Sequence, residues 1–264
     1  MYHDFVADED ARARVSPAHR PYVLTRARFA EHLDGLAAAG GQACALSDAR
    51  SAASDRRFVL SIDDGSASDF SVAFPMLQER GWTGCFFIIA GQVGASGYVG
   101  WPELRAMADG GMEIGSHSLT HPHMQQLALR DIEREFRESK QMLEDGIGRP
   151  VTVASLPRGT APPEIGAVLA DCGYDMFCTS EPGLCDERTD PYRVPRIAVK
   201  SGTTTVFMQR VLQGRAATMA SLKCAYLLKA VGKEVIGMER WRRVRGAIIG
   251  SASRRRASAT TRDS

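Results

Sequence analysis

Apolar and polar positions alternate along this chain between two periods. In "RARFAEHLDGLAAAGG" (26–41) apolar residues recur at helical spacing, and the closing glycine pair predicts a helix C-terminus. "RFVLSIDDG" (57–65) is a short β-rich run closed by a turn. "SDFSVAFPMLQERG" (68–81) reads as a helix in which Pro75 requires a kink or a late start. "CFFIIAG" (85–91) predicts a buried strand. "WPELRAMADGG" (101–111) predicts a helix with proline in its first turn and glycines past its end. "MEIGSH" (112–117) is the next strand. "LALRDIEREFRESKQMLEDGIG" (127–148) is a long amphipathic helix directing Ile132, Phe136 and Leu143 to the core. Then come "VTVASLP" (151–157) as strand, "PPEIGAVLADCG" (162–173) as helix, "YDMFCTS" (174–180) as strand and "YRVPRIAV" (192–199) as a further strand. From Thr204 onward the pattern is mostly helical.

Strands alternating with helices imply βαβ units and a mainly parallel sheet, so the fold class is α/β. Six or seven such units favour a closed or nearly closed barrel over an open doubly wound sheet. Either way a ligand site lies at the carboxyl ends of the strands. "DDG", "SHSLTH" and "SLPRG" each end a predicted strand, so three polar clusters are expected on one rim.

Composition refines this picture. The 264 residues are 44% hydrophobic and 24% charged, enough for a sizeable core and too balanced for a disordered chain. The net charge of +2 hides an asymmetry, because the stretch from Lys223 to Ser264 is strongly basic and the body acidic. We expect a barrel domain over 1–215, an amphipathic basic helical extension over 216–250 and a disordered basic tail over 251–264. The basic helix "KAVGKEVIGMERWRRVRGAIIG" suits peripheral contact with an anionic membrane. No aromatic-basic module or helix-turn-helix pattern suggests nucleic acid. The six cysteines form no CxxC pair and read as reduced thiols; with no apolar leader after Met1, a cytoplasmic setting is expected. Trp82 and Trp101 read as packing residues.

Three of the six histidines fall within seven positions, His117, His121 and His123, and none follows. His117 and His121, four apart, would share a helical face and reach one ion. Together with an aspartate of "DDG" they make a facial set of ligands that leaves coordination positions open, as a catalytic metal needs. Such an ion acidifies its water and polarises a carbonyl. If Asp64 binds it, Asp63 points elsewhere on an extended chain and is free to take a proton. His123 reads as a supporting or surface residue.

"SIDDG", "HSLTH" and "SLPRG", in that order, resemble the motifs T/S-F-D-D-G, H-S/T-x-x-H and R-x-P-Y/F-x of the polysaccharide deacetylase (NodB-homology) family, carbohydrate esterase family 4. "AMADGGMEIGSH" is similar to that family's approach to the second motif, and "YH" at 2–3 to the Tyr-His that often ends its first strand. The resemblance implies a distorted (β/α) barrel of about seven strands, and removal of an N-acetyl group from an amino sugar. It implies Asp63 as catalytic base; Asp64, His117 and His121 as ligands of a divalent metal, taken as zinc; and the Arg158 backbone N–H as oxyanion donor. Pro157, Ser155 and Tyr174 would lie on the substrate side.

The departures are as specific as the matches. Ser155 stands where the arginine that orients the base is expected, and "FCTSEPG" has no aspartate to hold such an arginine. Ser66 replaces a larger residue of the sugar platform. With no late histidine as acid, His3 is the candidate, or Asp63 serves as both base and acid. Two other readings use the same features: a hydrolase of another non-peptide C–N bond, such as a small cyclic amide, and a non-catalytic carbohydrate binder. Asp63→Asn is expected to abolish turnover with metal content nearly intact, and His121→Ala to lose the ion; metal analysis beside an activity assay separates them, and activity in both variants would misplace the site.

Overall fold

The computed structural model describes residues 1–49 and 56–236; the expected tail and positions 237–250 of the expected extension lie outside them. In chain order the elements are β1 (Asp4–Val6), α1 (Glu9–Arg14), β2 (Val23–Thr25), α2 (Arg26–Ala38), β3 (Gln42–Ala43), β4 (Arg57–Phe58), β5 (Leu60–Asp64) and α3 (Phe74–Gln78). They continue as β6 (Gly84–Ile88), α4 (Trp101–Asp109), β7 (Glu113–Ser116), α5 (Leu129–Ile147), β8 (Val153–Ser155), α6 (Ile165–Asp171), β9 (Met176–Cys178), α7 (Thr205–Leu212) and α8 (Ala216–Ile236).

β5 to β9 form one parallel sheet in sequence order, each neighbour reached through one helix. That order curls the sheet into a half-barrel. β1–β2 and β3–β4 are separate parallel ladders. The first is joined to β5 at Tyr2–Ile62, where the Tyr2 N–H donates to the Ser61 carbonyl and the Asp63 N–H to the Tyr2 carbonyl. "YH" therefore precedes the first strand instead of ending it. The expected seven-strand barrel is thus a five-stranded half-barrel with ladders beside it.

The strand expected at 192–199 does not form. Val194 makes one bridge to Cys178, after which Pro195 offers no N–H and the Arg196 N–H turns to the Glu181 carbonyl. Tyr192 and Arg193 lie in a short helical turn instead, and the stretch after it delivers the Arg196 side chain to Asp63.

The expected helices form, and α1 is an additional one that the hydrophobic pattern did not indicate. The Thr25 hydroxyl caps α2 by accepting the Arg28 N–H. α3 starts late, at the residue before Pro75, after a wide turn over Asp69–Ala73. α5 ends on Gly148 in the left-handed conformation and buries Ile132, Phe136 and Leu143. β5, β6, β8 and β9 are buried on both faces, as parallel strands under helices are. Ile62, Phe86 and Ile88 pack in the larger core, whereas Cys85, Phe87, Val153, Cys178 and Val194 form a smaller one. Alternation puts Asp63 on the Phe87 side of its sheet.

Trp82 packs edge-on to Phe58, and Trp101 packs against the core, so both are packing residues. The six cysteines are free thiols, four buried and Cys185 and Cys224 exposed. No described helix is long and apolar enough to cross a membrane. One compact unit covers Met1–Met219 and a second starts at Ala220, within α8.

Gly146 of α5 lies against the Trp101 indole, where a Cβ would sit 2.1 Å from a ring carbon. Alanine gains about 1 kcal/mol of helix propensity there but costs about 1–3 kcal/mol in overpacking. Gly146→Ala is expected to lower the urea midpoint; an unchanged or raised midpoint would contradict this packing.

Candidate active site

The five parallel strands end on the same rim, and four of them bring the residues of the site to it. Asp63 and Asp64 close β5, His117 follows β7, and Ser155 closes β8 with Pro157–Gly159 after it. Thr179, after β9, accepts from Arg196.

The two adjacent aspartates occupy opposite environments. Asp63 is buried and takes both ends of the Arg196 guanidinium, Nη1 at 2.6 Å and Nη2 at 2.9 Å. Arg196 is itself buried; its Nε donates to the Thr179 carbonyl, and its guanidinium lies 5.2 Å from the Phe87 ring centre. Burial alone raises the Asp63 carboxyl, but the charge of Arg196 foremost outweighs it and brings the pKa down to about 2. This arginine corrects the sequence expectation. Ser155 does stand in the motif position, yet the base keeps a guanidinium, supplied from the segment after β9.

Asp64 leaves the extended conformation, with φ of 88°, and turns its half-buried carboxylate to the rim. Its Oδ1 lies 3.5 Å from His117 Nε2 and 3.6 Å from His121 Nε2. One ligand atom from each of the three residues falls within 4.8 Å of the others. His117 is buried, and its Nδ1 lies 2.6 Å from Ser155 Oγ and 3.2 Å from the Ser155 carbonyl. A carbonyl only accepts, so that contact puts the ring proton on Nδ1 and leaves the Nε2 lone pair facing Asp64. Burial drives His117 down to about 3; burial and then Arg158 drive His121 down to about 4. Both imidazoles are therefore neutral donors at neutral pH. Burial, then the charges of Asp63 and Asp4, push Asp64 up to about 7. Two neutral imidazoles and one carboxylate that repels further negative charge fit a divalent cation.

His117 and His121 are not on a helix. They flank a loop in which Ser118 and His121 have φ of 66° and 60°. The non-glycine residues with positive φ, among those described, are Asp64, Ser118, His121 and Arg158, all at this rim. Such backbone is costly for a side chain-bearing residue and clusters where function fixes it.

The other expected residues divide. Arg158 sits exposed in its left-handed turn, its Nε donating to the His121 carbonyl at 3.0 Å, with His123 near its other end. Ser155 is fully buried against His117, and Pro157 is buried, so neither presents a side chain to a glycan. Tyr174 is buried in the core, its hydroxyl donating to the Phe136 carbonyl, and does not flank a pocket. His3 packs on Tyr22, and its buried Nδ1 has no hydrogen-bond partner. Burial lowers its pKa, and the charges of Asp63 and Arg196 act on it next.

Residues 50–177, the region that carries all three motifs, match the family model for polysaccharide deacetylases. The chain is 26% identical over 149 residues to YxkH of Bacillus subtilis, 56% of this chain and 53% of that protein, so the match spans about half of the relative. The fold is similar to that of the deacetylase PplD of Streptococcus pyogenes, solved with acetate: TM-score 0.70, 18% identity, 78% of this chain and 93% of that one. A de-N-acetylase of Aggregatibacter actinomycetemcomitans gives 0.68 at 17% identity, over 76% of this chain and 94% of that one. IcaB of Ammonifex degensii gives 0.64 at 20%, over 81% and 97%.

Removing one member of the buried pair leaves the other charge uncompensated. Arg196→Ala is expected to cost about 3–5 kcal/mol in urea unfolding. Because Asp63 is depressed in the folded state, the pair stabilises above the ordinary carboxylate range near pH 4 and is lost as pH falls toward about 2. The variant should lose that acid-dependent part of its stability; wild-type acid sensitivity in Arg196→Ala would contradict the pairing.

Proposed function

We propose that this protein is a metal-dependent hydrolase that removes the N-acetyl group from an amino sugar of a polysaccharide or related glycan. The observation that carries this reading is the division of labour between neighbouring aspartates: Asp64 converges with His117 and His121, while Asp63 is held apart by Arg196. The ligand chemistry suits zinc. A cation held by Asp64, His117 and His121 would supply Lewis acidity, acidifying water and polarising the acetamide carbonyl.

Asp63 then takes the proton of the attacking water. Its Oδ2 lies 4.0 Å from His117 Nε2, so one edge of the carboxylate faces the ligand atoms while Arg196 keeps it ionised. The Arg158 N–H, in a left-handed turn, serves the developing oxyanion. The amine is protonated as the C–N bond breaks, giving acetate and a free amino sugar; the proton is the one Asp63 took from the water, returned directly or through His3, whose buried Nδ1 has no hydrogen-bond partner. Exposed Leu227 and Leu228 on α8, ahead of a basic sequence, support peripheral contact with an anionic membrane on the cytoplasmic side.

The test is acetate release from N-acetylglucosamine oligomers and acetylated exopolysaccharide by zinc-loaded protein. Turnover abolished by chelation is expected. Bound metal without turnover on any amide would leave a carbohydrate binder. His3→Gln should lower kcat about 100-fold with KM little changed; unchanged kcat would return the acid role to Asp63.

A further inference from the structure

α5 buries one face, and the residues along it are Ile132, Phe136, Ser139 and Leu143. Glu135 belongs to the same stripe and is also buried. A carboxylate on the core face of a helix is costly unless its lone pairs are taken. Here they are taken by the loop between the two histidines. Glu135 Oε2 accepts the Leu119 N–H at 3.0 Å and the Thr120 N–H at 2.8 Å, and Oε1 accepts the Thr120 hydroxyl at 2.6 Å.

The loop's other two amides and three of its carbonyls also have partners. The Ser118 N–H goes to Ser116 Oγ and the His121 N–H to Ser118 Oγ. The Ser118 carbonyl accepts from Ala90 N–H and the Leu119 carbonyl from Gly91 N–H, both just past β6. The His121 carbonyl accepts from Arg158 Nε. Glu135 alone receives two of the loop's four amides, and it does so immediately before the strained His121. Without it, two amides at the loop's apex lose their acceptor, and the positive φ that turns His121 toward Asp64 loses its support.

We infer that Glu135 is a positioning residue for the metal: it does not touch the ion, but clamps the Leu119–Thr120 turn so that His121 Nε2 meets Asp64 and His117. This rests on the metal reading above. Supporting contacts to a ligand typically govern about 10- to 100-fold in metal affinity.

The experiment measures zinc affinity by competition with a chromophoric chelator, and the visible absorption of the cobalt-substituted protein, on wild type and three Glu135 variants. Glu135→Ala is expected to weaken zinc about 10- to 100-fold and to alter the cobalt bands. Glu135→Asp, which keeps the charge but withdraws it by one methylene, is expected to do the same, and stands in if the alanine variant does not fold. Glu135→Gln offers one oxygen to both amides and an amide group to the threonine hydroxyl, so it should bind within about threefold of wild type, with wild-type cobalt bands. Wild-type affinity and spectrum in Glu135→Asp or folded Glu135→Ala would overturn the inference, as would a loss in Glu135→Gln equal to that in Glu135→Asp. Wild-type protein that binds neither metal would instead overturn the metal reading itself.

Discussion

Two carboxylates adjacent on one parallel strand cannot both face the same small space without raising each other's pKa. This chain resolves the conflict by giving them opposite partners. Asp63 turns inward to a buried guanidinium, and Asp64 breaks from the strand toward two neutral imidazoles. The buried pair is not there for stability alone, since an apolar replacement can serve a core as well. Its effect is to keep one carboxylate ionised and fixed in orientation, beside another that is poised to meet a cation.

The fold supplies that arrangement cheaply. A sheet wound in sequence order sends every strand's carboxyl end to one rim, so residues as distant as Asp63, His117 and Ser155 become neighbours without long loops. The rim itself is strained. Left-handed backbone at Asp64, Ser118, His121 and Arg158 aims side chains where an ideal strand end would not. Around Ser118 and His121 the cost is offset by hydrogen bonds that buried side chains, Ser116, Ser118 and Glu135, accept from the loop's backbone N–H groups.

The convergence of Asp64, His117 and His121 was legible because these residues lie in short contiguous motifs at strand ends. The helices from α2 onward and the central strands were legible from period alone. What escaped was non-local. Arg196 lies 133 residues from Asp63, in a segment whose alternation looks like a strand, and only Pro195 hinted that the ladder would fail. The spacing of His117 and His121 suggested a helical turn, although a loop with positive φ does the work. Tyr174 and Ser155 looked like pocket residues because they flank motifs, but the chain needs them inside: one packs the α5 interface, the other orients His117. β1 to β4, of two or three residues each, are too short to carry a periodic signal. Glu135 did leave a trace, a carboxylate within a mostly apolar stripe.

The central claim is that Asp64, His117 and His121 hold one cation in an open site. X-ray absorption at the zinc edge of the loaded protein tests it most directly. The account predicts a first shell of nitrogen and oxygen at about 2.0–2.2 Å, with the multiple-scattering pattern of two imidazoles and no sulfur. A shell containing sulfur at about 2.3 Å, or one without imidazole scattering, would contradict it.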